Sequence, residues 1–127
     1  MLDEHKSKEK RNYPRATVDL PVKVILMSQG TETMGRMREV SLIGTACFLS
    51  NFVPAVNSKL ILQFSLEPYQ IFREFSLTGY VKHVTITLDE HSKEHGYPYL
   101  IGVEFFDASP EENSALEELC VTLCTHQ

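Results

Sequence analysis

Apolar and polar residues alternate along most of this chain, and the alternation begins abruptly at residue 17. Every second position from there is aliphatic: Val18, Leu20, Val22, Val24 and Leu26. A period of two is typical of a β-strand with one buried face. Pro21 lies within this run and has no N–H to donate. The pattern therefore predicts a first strand over 17–26 whose part around Pro21 lies at an edge.

Five more strands are predicted from the same kind of pattern. They cover 33–40, 46–49, 60–66, 72–88 and 99–106. Gly30 is expected to take a positive φ in the turn at 28–32, and Gly79 to mark a bulge or bend in the long fifth strand. A polar loop is predicted over 89–96. Strands separated by turn signals indicate an antiparallel barrel or sandwich, and closing a barrel would remove its exposed edges.

The C-terminal segment has a different period. Ser109-Pro110-Glu111-Glu112 has the form of a capping box with Pro at the first helical position. Apolar residues then recur at helical spacing: Leu116, Leu119, Cys120, Leu123 and Cys124. They predict an amphipathic helix over about 109–125 that packs on the strands.

Composition places the chain among ordinary small domains. A length of 127 residues with 43% hydrophobic and 23% charged residues predicts one soluble domain over 11–127 after a charged tail over 1–10. The three cysteines contain no Cys-x-x-Cys, and no stretch has the length of a membrane span or the form of a secretory signal. We therefore expect a cytoplasmic protein with no membrane insertion.

The charge distribution favours a small anion as ligand. The net charge of -5 argues against a DNA- or RNA-binding protein, which would present a strongly basic face. Basic residues nevertheless crowd the first fifteen positions, namely Lys6, Lys8, Lys10, Arg11 and Arg15. A basic lead-in on an acidic body indicates a specific anionic ligand.

Two short motifs supply chemistry for such a ligand. Arg11 and Arg15 have R-x-x-x-R spacing, and Glu39, Ser41 and Gly44 have E-x-S-x-x-G spacing. Arginine forks bind phosphate oxygens bidentately and stack on flat rings. A carboxylate and a hydroxyl can accept the N–H donors of a guanine edge. A simpler role for Ser41 and Gly44 is a β-corner, in which Ser caps the turn and Gly supplies a positive φ. The two roles are compatible.

The order and spacing of these motifs, with strands between them and a closing helix after, resemble the PilZ domain, a bacterial receptor module for cyclic di-GMP. The resemblance covers about residues 10–123. It implies a mainly β fold, a six-stranded antiparallel barrel with a C-terminal helix. The family usually has Asp or Asn where this chain has Glu39.

The resemblance also implies roles for individual residues. Arg11 and Arg15 would grip the phosphates and guanine faces, Glu39 and Ser41 would contact guanine, and Gly44 would shape the backbone. Lys10 would add a positive charge beside the first arginine. His83 would lie beside a guanine, although an ordinary strand histidine is the alternative. The family binds one ligand molecule or a stacked pair, and this sequence leaves the stoichiometry open.

These residues together predict a cyclic di-GMP receptor that signals to a separate, unidentified effector protein. Motility, pilus and exopolysaccharide machineries are the outputs that the family implies. The alternative is a PilZ-fold interaction module that does not bind the nucleotide. A small barrel enzyme is a third hypothesis, but the sequence has no catalytic motif, so we expect no enzymatic activity. We also expect no cofactor and no metal, because His91 and His95 lie in the predicted polar loop rather than on a helix.

Overall fold

The computed structural model of the protein describes residues 15–50, 52–86 and 99–125. Its strands are β1 (Ala16–Leu26), β2 (Thr31–Val40), β3 (Gly44–Leu49), β4 (Lys59–Ser65), β5 (Glu74–Ile86) and β6 (Tyr99–Phe106). A 3₁₀ turn, Glu67–Tyr69, precedes β5, and one helix, α1 (Pro110–Thr125), follows β6. The predicted tail, 1–10, and the predicted loop, 89–96, lie outside the described residues.

The strands form a closed antiparallel barrel in the order β1-β2-β3-β6-β5-β4. The prediction of a mainly β, six-stranded antiparallel barrel with a C-terminal helix is therefore confirmed. The alternating apolar residues of β1 all point inward and are buried. They meet the inward faces of the other strands in one core that includes Met37, Leu62, Leu77 and Ile101.

Pro21 lies where its missing N–H is harmless. It faces Arg36 of β2, but β1 pairs with β4 only over its last residues, from Lys23 to Leu26. The first half of β1 therefore has no strand partner on its β4 side, which confirms the predicted edge around Pro21. The predicted positive φ at Gly30 is also confirmed, at 68°.

The described strands have three register shifts, and none is at Gly79. In β1, Val18 and Asp19 lie opposite the single residue Arg38 of β2. In β2 the register shifts between Met37 and Glu39, and in β5 it shifts between Val81 and His83. We call these the β2 bulge and the β5 bulge. Gly79 stays in register with Leu60 on one side and Phe105 on the other. The predicted bulge at Gly79 was thus misplaced. The extra residue is marked by a change in the apolar alternation that begins at Val81, and not by the glycine.

Each bulge turns two consecutive residues outward. Met37 and Val40 are both buried in the core although they are three residues apart, and Val81 and Val84 likewise both pack on the core. An extra residue between two inward positions leaves a pair of side chains on the outer face. That pair is Arg38 and Glu39 in β2, and Lys82 and His83 in β5.

The helix begins as its capping box predicts. The Ser109 N–H donates to Glu112 Oε1 at 2.9 Å, and the Glu112 N–H donates to Ser109 Oγ at 3.1 Å. Leu116, Leu119 and Cys120 are buried against the barrel, and the Cys120 thiol donates to the Val40 carbonyl at 3.5 Å. The helix is thereby fixed beside the end of β2. Within the described ranges, no helix combines the length and hydropathy that a membrane crossing requires.

Candidate ligand-binding site

A cleft of about 300 Å³ lies on the outer face of β2, β3, β6 and β5. Its floor consists of residues with little or no side chain, Gly44 and Ala46 of β3 and Gly102 of β6. Ala46 and Gly102 are directly paired across the two strands. Because Gly44 and Ala46 have so little side chain, a flat group could lie close to the backbone of β3.

Long polar side chains surround this floor. Arg15, Glu39, Lys82, His83 and Glu104 all line the cleft. They come from the segment before β1, from the two bulges and from β6. Residues far apart in sequence are thus brought together by the closure of the barrel, and both signs of charge are present.

The corner between β2 and β3 is held by Ser41. The Ile43 N–H donates to Ser41 Oγ at 3.2 Å, and the Ser41 N–H donates to the Gly44 carbonyl at 2.9 Å. Ser41 is only 6% exposed. The predicted β-corner, with Ser capping the turn through its hydroxyl, is therefore present at the edge of the cleft.

Gly44 serves this corner in a different way from the one predicted. Among the described glycines, only Gly30 has a positive φ, so the expected positive φ at Gly44 was wrong. A Cβ at Gly44 would instead collide with the Val103 carbonyl oxygen of β6. Gly44 is required because β3 and β6 approach each other closely there.

The β2 bulge sends its two outward side chains in different directions. Glu39 lines the cleft, and its carbonyl accepts a hydrogen bond from Thr45 Oγ1 at 2.5 Å. The Arg38 guanidinium lies 5.5 Å from the centre of the Phe48 ring. Arg36, two residues earlier, pairs with Asp19 at 2.6 Å. Neither arginine lines the cleft.

The β5 bulge places both of its outward side chains at the cleft. His83 is paired with Gly102, and a Cβ added at Gly102 would collide with the His83 ring. The imidazole thus occupies the space that a side chain at Gly102 would need. Lys82, the extra residue of the bulge, also lines the cleft.

The sequence motifs missed Lys82 and Glu104. The phase shift of the apolar pattern from Val81 to Val84 could have identified the outward pair at 82 and 83. The alternation of Ile101 and Val103 could have placed Glu104 on the outer face. Arg11 and Lys10, which the sequence also proposes, lie outside the described residues.

The described residues offer no cluster for a metal ion, and the Cys47 thiol is not activated. They contain no group of three or more His, Cys, Asp and Glu residues that could hold a metal ion. His91 and His95 lie outside the described ranges. Burial raises the pKa of the Cys47 thiol to about 12, against a smaller opposing effect of its hydrogen bond with Thr45. Cys47 therefore acts as a core residue.

The sequence matches the family model of the PilZ domain over residues 9–122. The chain belongs to the PilZ domain family. No curated protein matches it. Several solved structures are similar to it, and the three described next cover 86–92% of this chain.

One similar structure is MotI/DgrA, an inhibitor of motility from Bacillus subtilis, with 18% identity and a TM-score of 0.76. The alignment covers 92% of this chain and 52% of MotI, so this PilZ chain spans about half of that protein. The PilZ domain of YcgR from Escherichia coli, solved with c-di-GMP, has 14% identity and a TM-score of 0.69, covering 92% and 93% of the two chains. The PilZ domain of CeSA, from a cellulose-synthesizing bacterium, has 14% identity and a TM-score of 0.59, covering 86% and 96%. At these identities the likeness is one of fold.

Proposed function

We propose that this PilZ protein is a receptor for cyclic di-GMP, and that the cleft between the two bulges is its binding site. One observation carries the proposal. Arg15 from the first motif and Glu39, Ser41 and Gly44 from the second line the same cleft. The YcgR PilZ domain, which shares this fold, was solved with c-di-GMP.

The cleft suits a dianion that carries two guanine bases. The Arg15 guanidinium can bind a phosphate bidentately. The Glu39 carboxylate can accept the N–H donors of a guanine edge, and His83 can stack on the base. A purine can lie flat on Gly44 and Ala46, beside the His83 ring that covers Gly102.

The remaining contacts come from the segment before Arg15. We propose that Arg11, four residues earlier, binds the second phosphate or stacks on a guanine face, and that Lys10 adds positive charge. Ligand would then favour the conformer in which this lead-in lies over the cleft, by its differential affinity for that conformer. The surface formed jointly by the lead-in and the barrel would then bind or release an effector protein of a motility, pilus or exopolysaccharide machinery. The receptor would act in the cytoplasm and leave its ligand intact.

Isothermal titration calorimetry with cyclic di-GMP tests the proposal. The wild-type protein should bind saturably, and the titration gives the stoichiometry. The single variant Arg15→Ala should bind about 10–100-fold more weakly, because a charge-assisted hydrogen bond contributes about 1.5–3 kcal/mol. The double variant Arg11→Ala, Arg15→Ala should show no measurable binding.

Arg73→Ala is the matched control for these substitutions. Arg73 is exposed, lies 5.8 Å from the centre of the Phe75 ring, and does not line the cleft. Its loss should leave the affinity unchanged. Absence of binding by the wild-type protein at high micromolar ligand would refute the receptor function and favour a nucleotide-independent interaction module. Chromatography of the recovered nucleotide separates a receptor from an enzyme, because only an enzyme would convert it.

A further inference from the structure

We infer that Lys82 is a phosphate-binding residue of this cleft, in addition to the arginines of the first motif. The inference rests on the proposed function and deepens it. The sequence motifs do not include Lys82. The β5 bulge places it there.

The bulge determines the direction of the Lys82 side chain. Val81 and Val84 both pack on the core, and the register with β6 moves from Val81–Val103 to His83–Gly102. Lys82 is therefore an inserted residue without a partner in β6. It lies on the outer face beside His83, and both residues line the cleft.

On its other side, β5 pairs with β4 up to Lys59–Tyr80 and then with the two residues that precede β4. The Val81 N–H donates to the Ser58 carbonyl at 3.0 Å, and the Val81 carbonyl accepts from the Asn57 N–H at 2.7 Å. These bonds end at Val81, one residue before the inserted Lys82. This favours a role at the cleft over a role in closing the barrel.

The Lys82 ammonium group is available for an anion. Among the described residues, the ion pairs within 4.0 Å are Lys23–Glu32 and Arg36–Asp19, and neither includes Lys82. Glu39 and Glu104 also line the cleft, so a bound dianion would meet two carboxylates. A cation on the β5 side in addition to Arg15 would offset their repulsion of the phosphates. An ammonium group is a compact charge with three donors, which suits a phosphate oxygen.

The test is calorimetric titration of cyclic di-GMP into wild type, Lys82→Gln, Lys82→Arg and Lys23→Gln, each at low and high salt. Lys23→Gln is matched in charge and residue type. It removes only a 3.9 Å surface pair between Lys23 of β1 and Glu32 of β2, away from the cleft, and such pairs contribute little to stability. Thermal unfolding of the free proteins checks that each variant is folded.

Lys82→Gln should bind about tenfold more weakly than wild type at low salt. The difference should shrink at high salt, because screening weakens an exposed charge–phosphate contact. Lys82→Arg should bind within about threefold of wild type, since the charge is kept. Lys23→Gln should bind like wild type.

Two failures are distinguishable. If wild type binds and Lys82→Gln binds like Lys23→Gln, the role of Lys82 is overturned while the receptor function stands. A loss in Lys82→Gln that is equally large at both salt concentrations and is not restored in Lys82→Arg also overturns it, because that result reports the shape of the bulge rather than its charge. If wild type does not bind, the receptor function fails and the role of Lys82 fails with it.

Discussion

The two bulges flank the cleft from opposite sides, yet they are built differently. Both neighbours of β2 shift register at the β2 bulge, because β1 places two residues, Val18 and Asp19, opposite Arg38, whereas β3 places none there. The β5 bulge shifts the register with β6 alone, because the backbone bonds on the β4 side, from Asn57 and Ser58, end at Val81, one residue before Lys82. The β2 bulge gives the cleft one side chain, Glu39, and the β5 bulge gives it two.

This difference determines how firmly neighbouring strands hold the inserted residue of each bulge. A residue inserted between two paired neighbours is fixed by both, so the β2 bulge is part of the barrel's architecture. An inserted residue with one paired neighbour is held less firmly. We therefore expect changes in the β2 bulge to affect stability and changes in the β5 bulge to affect ligand binding.

The largest effect is expected from deleting the inserted residue of each bulge. Deleting Arg38 repairs the register with β3 but leaves Val18 and Asp19 without a partner residue in β2. It should lower the free energy of unfolding by about 3 kcal/mol. Deleting Lys82 repairs the register with β6 and keeps Val81 and Val84 pointing inward. It should cost less than about 1 kcal/mol in stability while weakening ligand binding. Urea unfolding measures the first quantity and calorimetry the second, and equal destabilisation by the two deletions would contradict the comparison.

The floor between the bulges provides the next test, with one methyl group added on each strand. In Gly44→Ala the new Cβ meets the Val103 carbonyl oxygen, which is backbone and cannot move without its strand. In Gly102→Ala it meets the His83 ring, which can rotate away. We expect Gly44→Ala to lose about 1–3 kcal/mol of stability and Gly102→Ala to lose less, with its main effect on affinity. A Gly102→Ala variant as unstable in urea as Gly44→Ala would show that the ring is fixed in place.

Affinity alone should separate the two bulges when one proposed ligand contact is removed from each. Glu39→Ala should cost about 1.5–3 kcal/mol, because it removes a charge-assisted hydrogen bond. His83→Ala should cost about 0.5–1.5 kcal/mol, the size of a ring–ring contact. Glu39→Asp, the residue more usual in the family, should retain binding. A larger calorimetric loss for His83→Ala than for Glu39→Ala would reverse the assigned roles.

The smallest effect is expected on the inner face of β3, at Cys47. Its pKa is raised from 9.0 to about 12 by burial, so the folded thiol stays protonated after the unfolded one has ionised. The stability that it contributes is complete below pH 9.0 and is lost as the pH rises towards 12. The advantage of wild type over Cys47→Ala in urea unfolding should shrink by about 1.4 kcal/mol between pH 7 and pH 10. An advantage that is constant with pH would show that Cys47 is not shielded from water.

The sequence predicted most of the elements because their signals are local. The alternation in β1, the bounds of β6 and the capping box at Ser109 each depend on a few neighbouring residues. Two features depended on adjacent strands and were mispredicted. Gly79 was assigned the bulge, and Gly44 was assigned a positive φ, when close approach to Val103 is what requires it.

The cleft was partly predictable for the same reason. Glu39, Ser41 and Gly44 are close in sequence and form a motif, whereas Lys82 and Glu104 reach the cleft only through the register of β5 and β6. His83 was proposed from the resemblance, and its place on Gly102 could not be known without that register. Arg11 and Lys10 lie outside the described residues, so their roles stay predictions.

The short pairing of β1 with β4 gives the barrel a weak seam. Those strands pair only from Lys23 to Leu26 against Leu60 to Gln63, and next to this stretch the Asp19 amide donates to the Tyr69 hydroxyl at 3.0 Å instead of to a strand. Amide hydrogens along the seam should exchange with solvent sooner than those of β5 and β6, since fewer bonds must break for the cylinder to open there. The barrel would thus open preferentially between β1 and β4, although it is closed by strands all the way round.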